Sequence, residues 1–316
     1  MTAAKTNRAK LGWIGTGRMG FEMARRLATA GCDITVWNRT REKAEPLAKD
    51  GAKIAGSLPE LAGCEIVFCM VSTWDDVKQV IAGPHGLLSK AQGRTGAPGT
   101  VVECSSISLE GSTELRKILA PHGTQLLAAP VSGNAKVIKA GRLTFVASGP
   151  KAAYEICAPY LDMMGQGSSY VGEGELARIV KICHNVMLGV VTQCMAEITV
   201  LAQKAGVPRH AFLDFLNKSV MGSTFTRYKA PAFVNLDFHV TFTPYLLRKD
   251  MDLGLEAGRK FEVPMPLASM TRDLIQAMMG AGMSEEDFST LLLQQAKASG
   301  IELKPENKKV GDGLSQ

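Results

Sequence analysis

A chain of 316 residues with 46% hydrophobic and 21% charged side chains is long enough to bury one large core or two smaller ones, and its composition is that of a globular protein. The formal net charge of +6 is carried by Lys and Arg scattered along the chain. This argues against a nucleic-acid-binding surface and suits a basic pocket for an anionic ligand. The seven cysteines stand at no repeating spacing and include no CxxC, which argues against a disulfide framework and for free, mostly buried thiols in a reducing compartment.

No apolar run precedes Leu11, so no signal peptide is expected, and no stretch reaches the ~18 uninterrupted apolar residues of a membrane span. The expectation is a cytoplasmic protein working without nucleic acid or membrane. From Leu11 onward, short apolar runs alternate with amphipathic stretches, the pattern of a parallel sheet covered by helices. Strands are predicted at Leu11–Ile14, Asp33–Trp37, Ile66–Val71, Thr100–Cys104, Gln125–Ala128 and Leu143–Ser148, with a helix over Met19–Ala30 that stops at Gly31.

Beyond Gly174 the pattern changes. Glu175–Ala205 has no Pro and a single Gly, Gly189, and its apolar residues recur at helical spacing. It is predicted to be one helix of ~45 Å at 1.5 Å per residue, closed by Gly206 and Pro208. Further helices are predicted at 209–218, 245–260, 267–280 and 285–299, followed by a frayed polar tail. The expected architecture is an α/β Rossmann-type N-terminal domain over 1–173 and an all-α C-terminal domain over 174–316, joined by the long helix.

Gly15-x-Gly17-x-x-Gly20 follows a strand and opens a helix, the context in which three glycines form a dinucleotide-binding turn. Gly15, Thr16, Gly17, Arg18 and Met19 are therefore expected at a pyrophosphate held by a helix N-terminus. At the end of the second strand, where an Asp or Glu commonly bonds the ribose of NAD, stand Asn38, Arg39 and Thr40. Arg39 suits a 2′-phosphate and Asn38 and Thr40 add donors, so NADP(H) is the expected cofactor, with NAD(H) second. Arg39 is otherwise a solvated loop residue.

Met70, Val71 and Ser72, and later Ser106, follow strand ends and suit either cofactor contacts or helix caps. Ser132, Gly133 and Asn134 form a small-residue turn whose hydroxyl and N–H groups suit a carboxylate, or no more than a turn. Lys181 and Asn185 are four apart on the long helix and share a face. Lys181 among Ile179, Val180 and Ile182 is either a proton-transfer group in a dry cleft or a snorkelling surface lysine. Cys183 is expected in the core. His184 is expected as a polar helix residue or a support to its neighbours, and no cysteine–histidine group has metal-ligand spacing, so no metal is expected.

In this order the motifs resemble those of the β-hydroxyacid dehydrogenase superfamily, from Leu11 to about Ser299. Lys249-Asp250 matches its late Lys-Asp element, and Glu197 its helix Glu. The resemblance implies hydride transfer between NADP(H) and a small β-hydroxy acid or its semialdehyde or keto counterpart. It implies Lys181 as general acid/base, Asn185 orienting the substrate, Ser132, Gly133 and Asn134 at its carboxylate, and Lys249 and Ser106 near the nicotinamide. It also implies a homodimer or homotetramer. Three departures stand out: Asn134 replaces a Gly, Ala177 replaces the Gly four positions before Lys181, and Ala128 replaces an Asp. Lys181-x-x-His184-Asn185 also looks like the catalytic helix of 6-phosphogluconate dehydrogenases. The same motifs are compatible with an imine reductase or with a non-catalytic dinucleotide-binding scaffold.

Overall fold

The computed structural model describes residues 9–314; the segment before residue 9, expected to carry no signal peptide, lies outside the described residues. The chain divides into two compact units, one ending at Lys181 and the other starting at Ile182.

The first unit is built on six parallel strands: β1 (Leu11–Ile14), β2 (Ile34–Trp37), β3 (Lys53–Ile54), β4 (Ile66–Cys69), β5 (Thr100–Glu103) and β6 (Gln125–Ala128), in the spatial order β3-β2-β1-β4-β5-β6. Strands β1, β4 and β5 are buried along their whole length, as central strands covered on both faces must be. Helices α1 (Arg18–Thr29), α2 (Trp74–Ala82) and α3 (Leu109–Leu119) make the crossovers. The strand order reverses between β1 and β4. Register aligns Ile14 with Trp37 and Cys69, and Cys69 with Glu103, so the loops after β1, β2, β4 and β5 leave one edge of the sheet together. A ligand crevice belongs at that edge.

A second, three-stranded sheet was not foreseen as such: β7 (Val131–Ser132) pairs antiparallel with β8 (Thr144–Ala147), which pairs parallel with β9 (Gly167–Tyr170). Strands β3 and β7 are two residues long, and Gly167-Ser168-Ser169-Tyr170 has almost no apolar pattern, so no period-2 signal exists to read. Helices α4 (Ala135–Lys139) and α5 (Lys151–Met164) complete this unit.

Helix α6 (Leu176–Lys204) leads into the second unit, which adds α7 (Arg209–Lys218), α8 (Thr224–Asn235), α9 (Pro244–Lys260), α10 (Pro266–Gly280) and α11 (Leu291–Ala298), with no strand among its described residues. By length and hydropathy α6 is apolar enough to cross a membrane, but it carries Lys181, and half of its most apolar stretch is buried in the protein. Its exposed side includes Cys183, which was expected in the core. Neighbours on a helix point about 100° apart, and here it is Ile182 that turns inward.

Three further expectations give way. Helix α8 was missed because Pro231 interrupts its pattern, yet Ser223 and Thr226 form a reciprocal cap at its start. Its aromatics serve the core: Phe233 is fully buried, and Phe225 packs on Phe288, as does Phe242 beyond the helix. The helix expected over 285–299 is split by Asp287, which accepts from Ser289 and starts a separate turn before α11. The tail is not frayed. Glu306 accepts from the N–H groups of Arg209 and His210, and buried Arg209 donates to the Lys304 carbonyl at 2.5 Å.

Candidate active site

The pocket at the sheet edge encloses about 330 Å³ and is lined by Gly15, Gly17, Arg18, Met19, Asn38, Arg39, Thr40, Met70, Val71 and Ser72, ten of the cofactor residues expected from sequence. Close packing dictates its glycines. A Cβ on Gly15 would stand 2.2 Å from the Met70 carbonyl oxygen, and one on Gly20 would stand 2.1 Å from that of Gly15. Gly17 is different, because a Cβ there meets nothing within 4 Å and would occupy the pocket itself. Trp13, fully buried against Phe68, donates from Nε1 to the Gly15 carbonyl at 2.8 Å and fixes the turn from below.

Asn38 is tied into the same turn. Its Oδ1 accepts from Thr16 N–H at 2.8 Å and its Nδ2 donates to the Thr40 carbonyl at 2.8 Å, so it shapes the loop as well as facing the pocket. Arg39 is an exposed cation of this wall, 87% accessible and 3.7 Å from Asp76. Lys43, Trp37, Asp76 and Val80 also line the pocket, and sequence reasoning passed them over. The Arg39, Arg41, Lys43 alternation was the available signal for Lys43. Asp76 reads in sequence only as the cap partner of Thr73, which it also is.

Thr16 lies beneath the pocket, 4% exposed, and its Oγ1 is buried without a hydrogen-bond partner among the described residues. A buried hydroxyl in that state calls for an acceptor or donor from outside the chain. With the open face of Gly17, the N-terminus of α1 and no carboxylate at the end of β2, this donor set fits a dinucleotide pyrophosphate.

Ser106 is half-buried on the loop after β5 and is not among the residues lining the pocket. Ser132 ends β7, Gly133 is exposed, and Asn134 caps α4 by accepting from Val137 N–H at 3.1 Å. Substituting Asn for Gly at this position thus adds a helix cap.

In the second unit, α6 and α9 cross closely. A Cβ on Gly254 would stand 2.2 Å from Val186 Cγ2. That approach brings Asn185 to Asp250, which accepts from Asn185 Nδ2 at 2.5 Å and pairs with Lys249 Nζ at 2.9 Å. His184 Nδ1 lies 3.0 Å from Asn185 Oδ1. Asp250 is 4% exposed; the sequence placed it in the late Lys-Asp element, but its bond to Asn185 was not anticipated. Its signal was position, because it follows Leu247 by three residues on the face that buries Leu247, Met251 and Gly254. Lys181 is half-buried, and Glu197 is exposed and accepts from Gln193 at 2.9 Å. Among the described residues, no group of three or more His, Cys, Asp and Glu is arranged to hold a metal ion.

Residues 10–174 match the family model for the NAD binding domain of 6-phosphogluconate dehydrogenase, and residues 175–294 match that for NAD-binding of NADP-dependent 3-hydroxyisobutyrate dehydrogenase. The chain is 31% identical over 291 residues to glyoxylate/succinic semialdehyde reductase 2, chloroplastic, of Arabidopsis thaliana, covering 91% of this chain and 80% of that one. It is 30% identical over 285 residues to cytokine-like nuclear factor N-PAC of Homo sapiens, covering 89% of this chain but only 50% of that protein. The structure of 3-hydroxyisobutyrate dehydrogenase from Salmonella typhimurium superposes with a TM-score of 0.79 at 25% identity, covering 90% of this chain and 99% of that one.

Fold, pocket and matches define an NAD(P)-dependent oxidoreductase. The six-stranded parallel sheet and helical second unit are those of its dehydrogenase relatives. The chain belongs to the β-hydroxyacid dehydrogenase superfamily, as a hydroxyacid dehydrogenase of the 3-hydroxyisobutyrate dehydrogenase type.

Proposed function

We propose that the protein interconverts a small β-hydroxy acid and its semialdehyde or keto counterpart with NADP(H) as the preferred cofactor and Lys181 as general acid/base. Asp250 is the observation that carries this reading. A nearly buried carboxylate holding both Asn185 and Lys249 is costly to the fold unless the groups it orients are used.

When bound, the nicotinamide supplies or accepts the hydride. The chain's own groups bind, orient and move the proton. Gly15, Gly17, Arg18 and Met19 would hold the pyrophosphate, with Thr16 in the same turn. Arg39, 3.7 Å from Asp76, would pair with the 2′-phosphate, and Lys43 is a second cation on the same wall. In reduction, Lys181 Nζ gives its proton to the substrate's carbonyl oxygen; in oxidation it takes the hydroxyl proton. The Asn185 amide, held by Asp250, orients that oxygen. By the family resemblance, Ser132 Oγ and the N–H groups of Gly133 and Asn134 would take the substrate carboxylate.

The test is oxidation of NADPH and NADH with a panel of small semialdehydes and keto acids. Turnover with a short carboxylate and a preference for NADPH are expected, and absence of both binding and turnover overturns the reading. Lys181→Ala is expected to keep cofactor affinity and lose roughly 10²–10⁴-fold in turnover. Exposed Met187, Leu201, Phe215 and Met270 support a homodimer or homotetramer, which sedimentation equilibrium distinguishes from a monomer.

A further inference from the structure

We propose that the buried Arg178–Glu103 ion pair is a positioning unit. It fixes the first turn of α6, and with it Lys181, against the strand-end loops of the dinucleotide pocket. The proposal rests on the reading of Lys181 as the proton-transfer group.

Arg178 is 1% exposed and Glu103 is fully buried. The guanidinium pairs with the Glu103 carboxylate, donates to the Ser105 carbonyl at 2.6 Å and reaches Ser112 Oγ at 3.3 Å. Every link of this network lies within the first unit, and it runs in two directions.

Toward the pocket, the other Glu103 oxygen accepts from Ser105 N–H at 2.7 Å. Ser105 Oγ accepts from Val71 N–H at 2.9 Å, and Val71 lines the pocket wall. The same contacts set the Ser105–Ser106 peptide. Toward the helix, Ser112 Oγ also bonds the Glu175 carboxylate, which pairs with Arg116 at 2.9 Å. Arg116 in turn donates to the carbonyls of Leu126 at 3.0 Å and Gly174 at 3.1 Å. Ala177 N–H donates to Ser148 Oγ at 2.9 Å, closing the other side of the turn.

Arg178 precedes Lys181 by three positions, one turn along the helix, about 4.5 Å of rise. A rotation or slide of that turn is passed directly to the lysine. Stability does not account for such a network. An apolar replacement of a buried ion pair is often as stable or more so, whereas charged groups with several fixed partners have one arrangement only. Each partner here is fixed by a second bond, so the pocket loop and the lysine's turn share one rigid frame.

The paired variant Arg178→Met/Glu103→Gln removes both charges while Gln still accepts from Ser105 N–H. Three quantities are measured: NADPH affinity by fluorescence titration, kcat and KM, and amide hydrogen exchange over residues 174–182. NADPH affinity and KM are expected within about threefold of the parent, kcat at least roughly tenfold lower, and exchange over 174–182 faster. A folded paired variant with kcat within about twofold of the parent overturns the proposal. Should that variant not fold, Ser112→Ala leaves no buried charge unpaired; it is expected to lower kcat about threefold and to speed the same exchange, and an unchanged kcat overturns the proposal. Lys181→Ala separates the two claims. Surviving turnover there overturns the role of the lysine, whereas loss of turnover beside a fully active paired variant overturns only the positioning role.

Discussion

Asn38→Asp places a carboxylate at the end of β2, where a 2′-hydroxyl would welcome it and a 2′-phosphate would not. The new side chain keeps an oxygen for Thr16 N–H, now donated to Oδ1 at 2.8 Å, but loses the Nδ2 donor that reaches the Thr40 carbonyl at 2.8 Å. That loss costs about 1 kcal/mol and falls on both cofactors alike. The discriminating cost is charge. Two unit charges 4 Å apart repel by about 1 kcal/mol in water and about 4 kcal/mol at an effective dielectric of 20. The wall is open, with Arg39 87% exposed, so the lower half of that range applies. The Kd ratio of NADPH to NADH should therefore rise roughly 5- to 50-fold, at 1.4 kcal/mol per tenfold. Fluorescence titration with both cofactors at low and physiological salt measures this ratio, and the change should shrink as salt rises. Equal weakening of the two cofactors, with the ratio moving less than about twofold, refutes the assignment of this corner to a 2′-phosphate and leaves Asn38 as a loop brace alone.

Asp250→Asn retains shape but removes the charge that holds Lys249 at 2.9 Å and weakens the acceptor for Asn185. Steady-state kinetics should show kcat/KM lower by roughly tenfold or more, and unaltered kinetics would remove Asp250 from the site. Lys229→Met leaves Asp287, 1% exposed, without its cation in the core of the second unit. Chemical denaturation should show a loss of roughly 3–5 kcal/mol, and a loss under about 1 kcal/mol contradicts the pairing. On acidification, burial works to raise Asp287, but the Lys229 charge and the bonds from Lys229, Ser289 and Thr241 hold it below its ordinary value of 3.8. A carboxyl depressed in the folded state stabilises fully above its unfolded pKa and ceases to do so as pH falls through the folded one. The loss is thus confined below pH 3.8, and in Asp287→Asn an acid titration followed by circular dichroism should show a shallower slope there. An identical slope refutes the linkage.

Much of the first unit was legible because its signals are local. Strand β1 reads as a continuous apolar run since both its faces are covered, and the three glycines announce a turn in which Gly15 and Gly20 leave no room for a Cβ. Asn38-Arg39-Thr40 was legible for the same reason, as residue types at a strand end. What escaped were features whose partners lie far along the chain. Strand β9 is a strand only because β8 offers it a ladder. Pro231 hides α8, whose aromatics find Phe288 more than fifty residues later. The tail from 300 onward reads as polar and loose until buried Arg209 and Glu306 are placed side by side.

The chemistry divides in the same way. Sequence alone determined the kind of protein and the residue types available to it: a glycine loop, a strand end without an acid, a lysine and an asparagine one helical turn apart. Periodicity and spacing report which residues share a face, and they carry no information on what that face meets. Only tertiary structure decided that Asp250 holds Asn185 and Lys249, that Asn38 braces the loop it also faces, and that Arg178 is buried against Glu103. The Asn38–Thr16, Asn185–Asp250 and Arg178–Glu103 contacts each join polar or charged groups 22 to 75 positions apart. Helix crossing and strand register set those meetings, and no local preference of the chain encodes them.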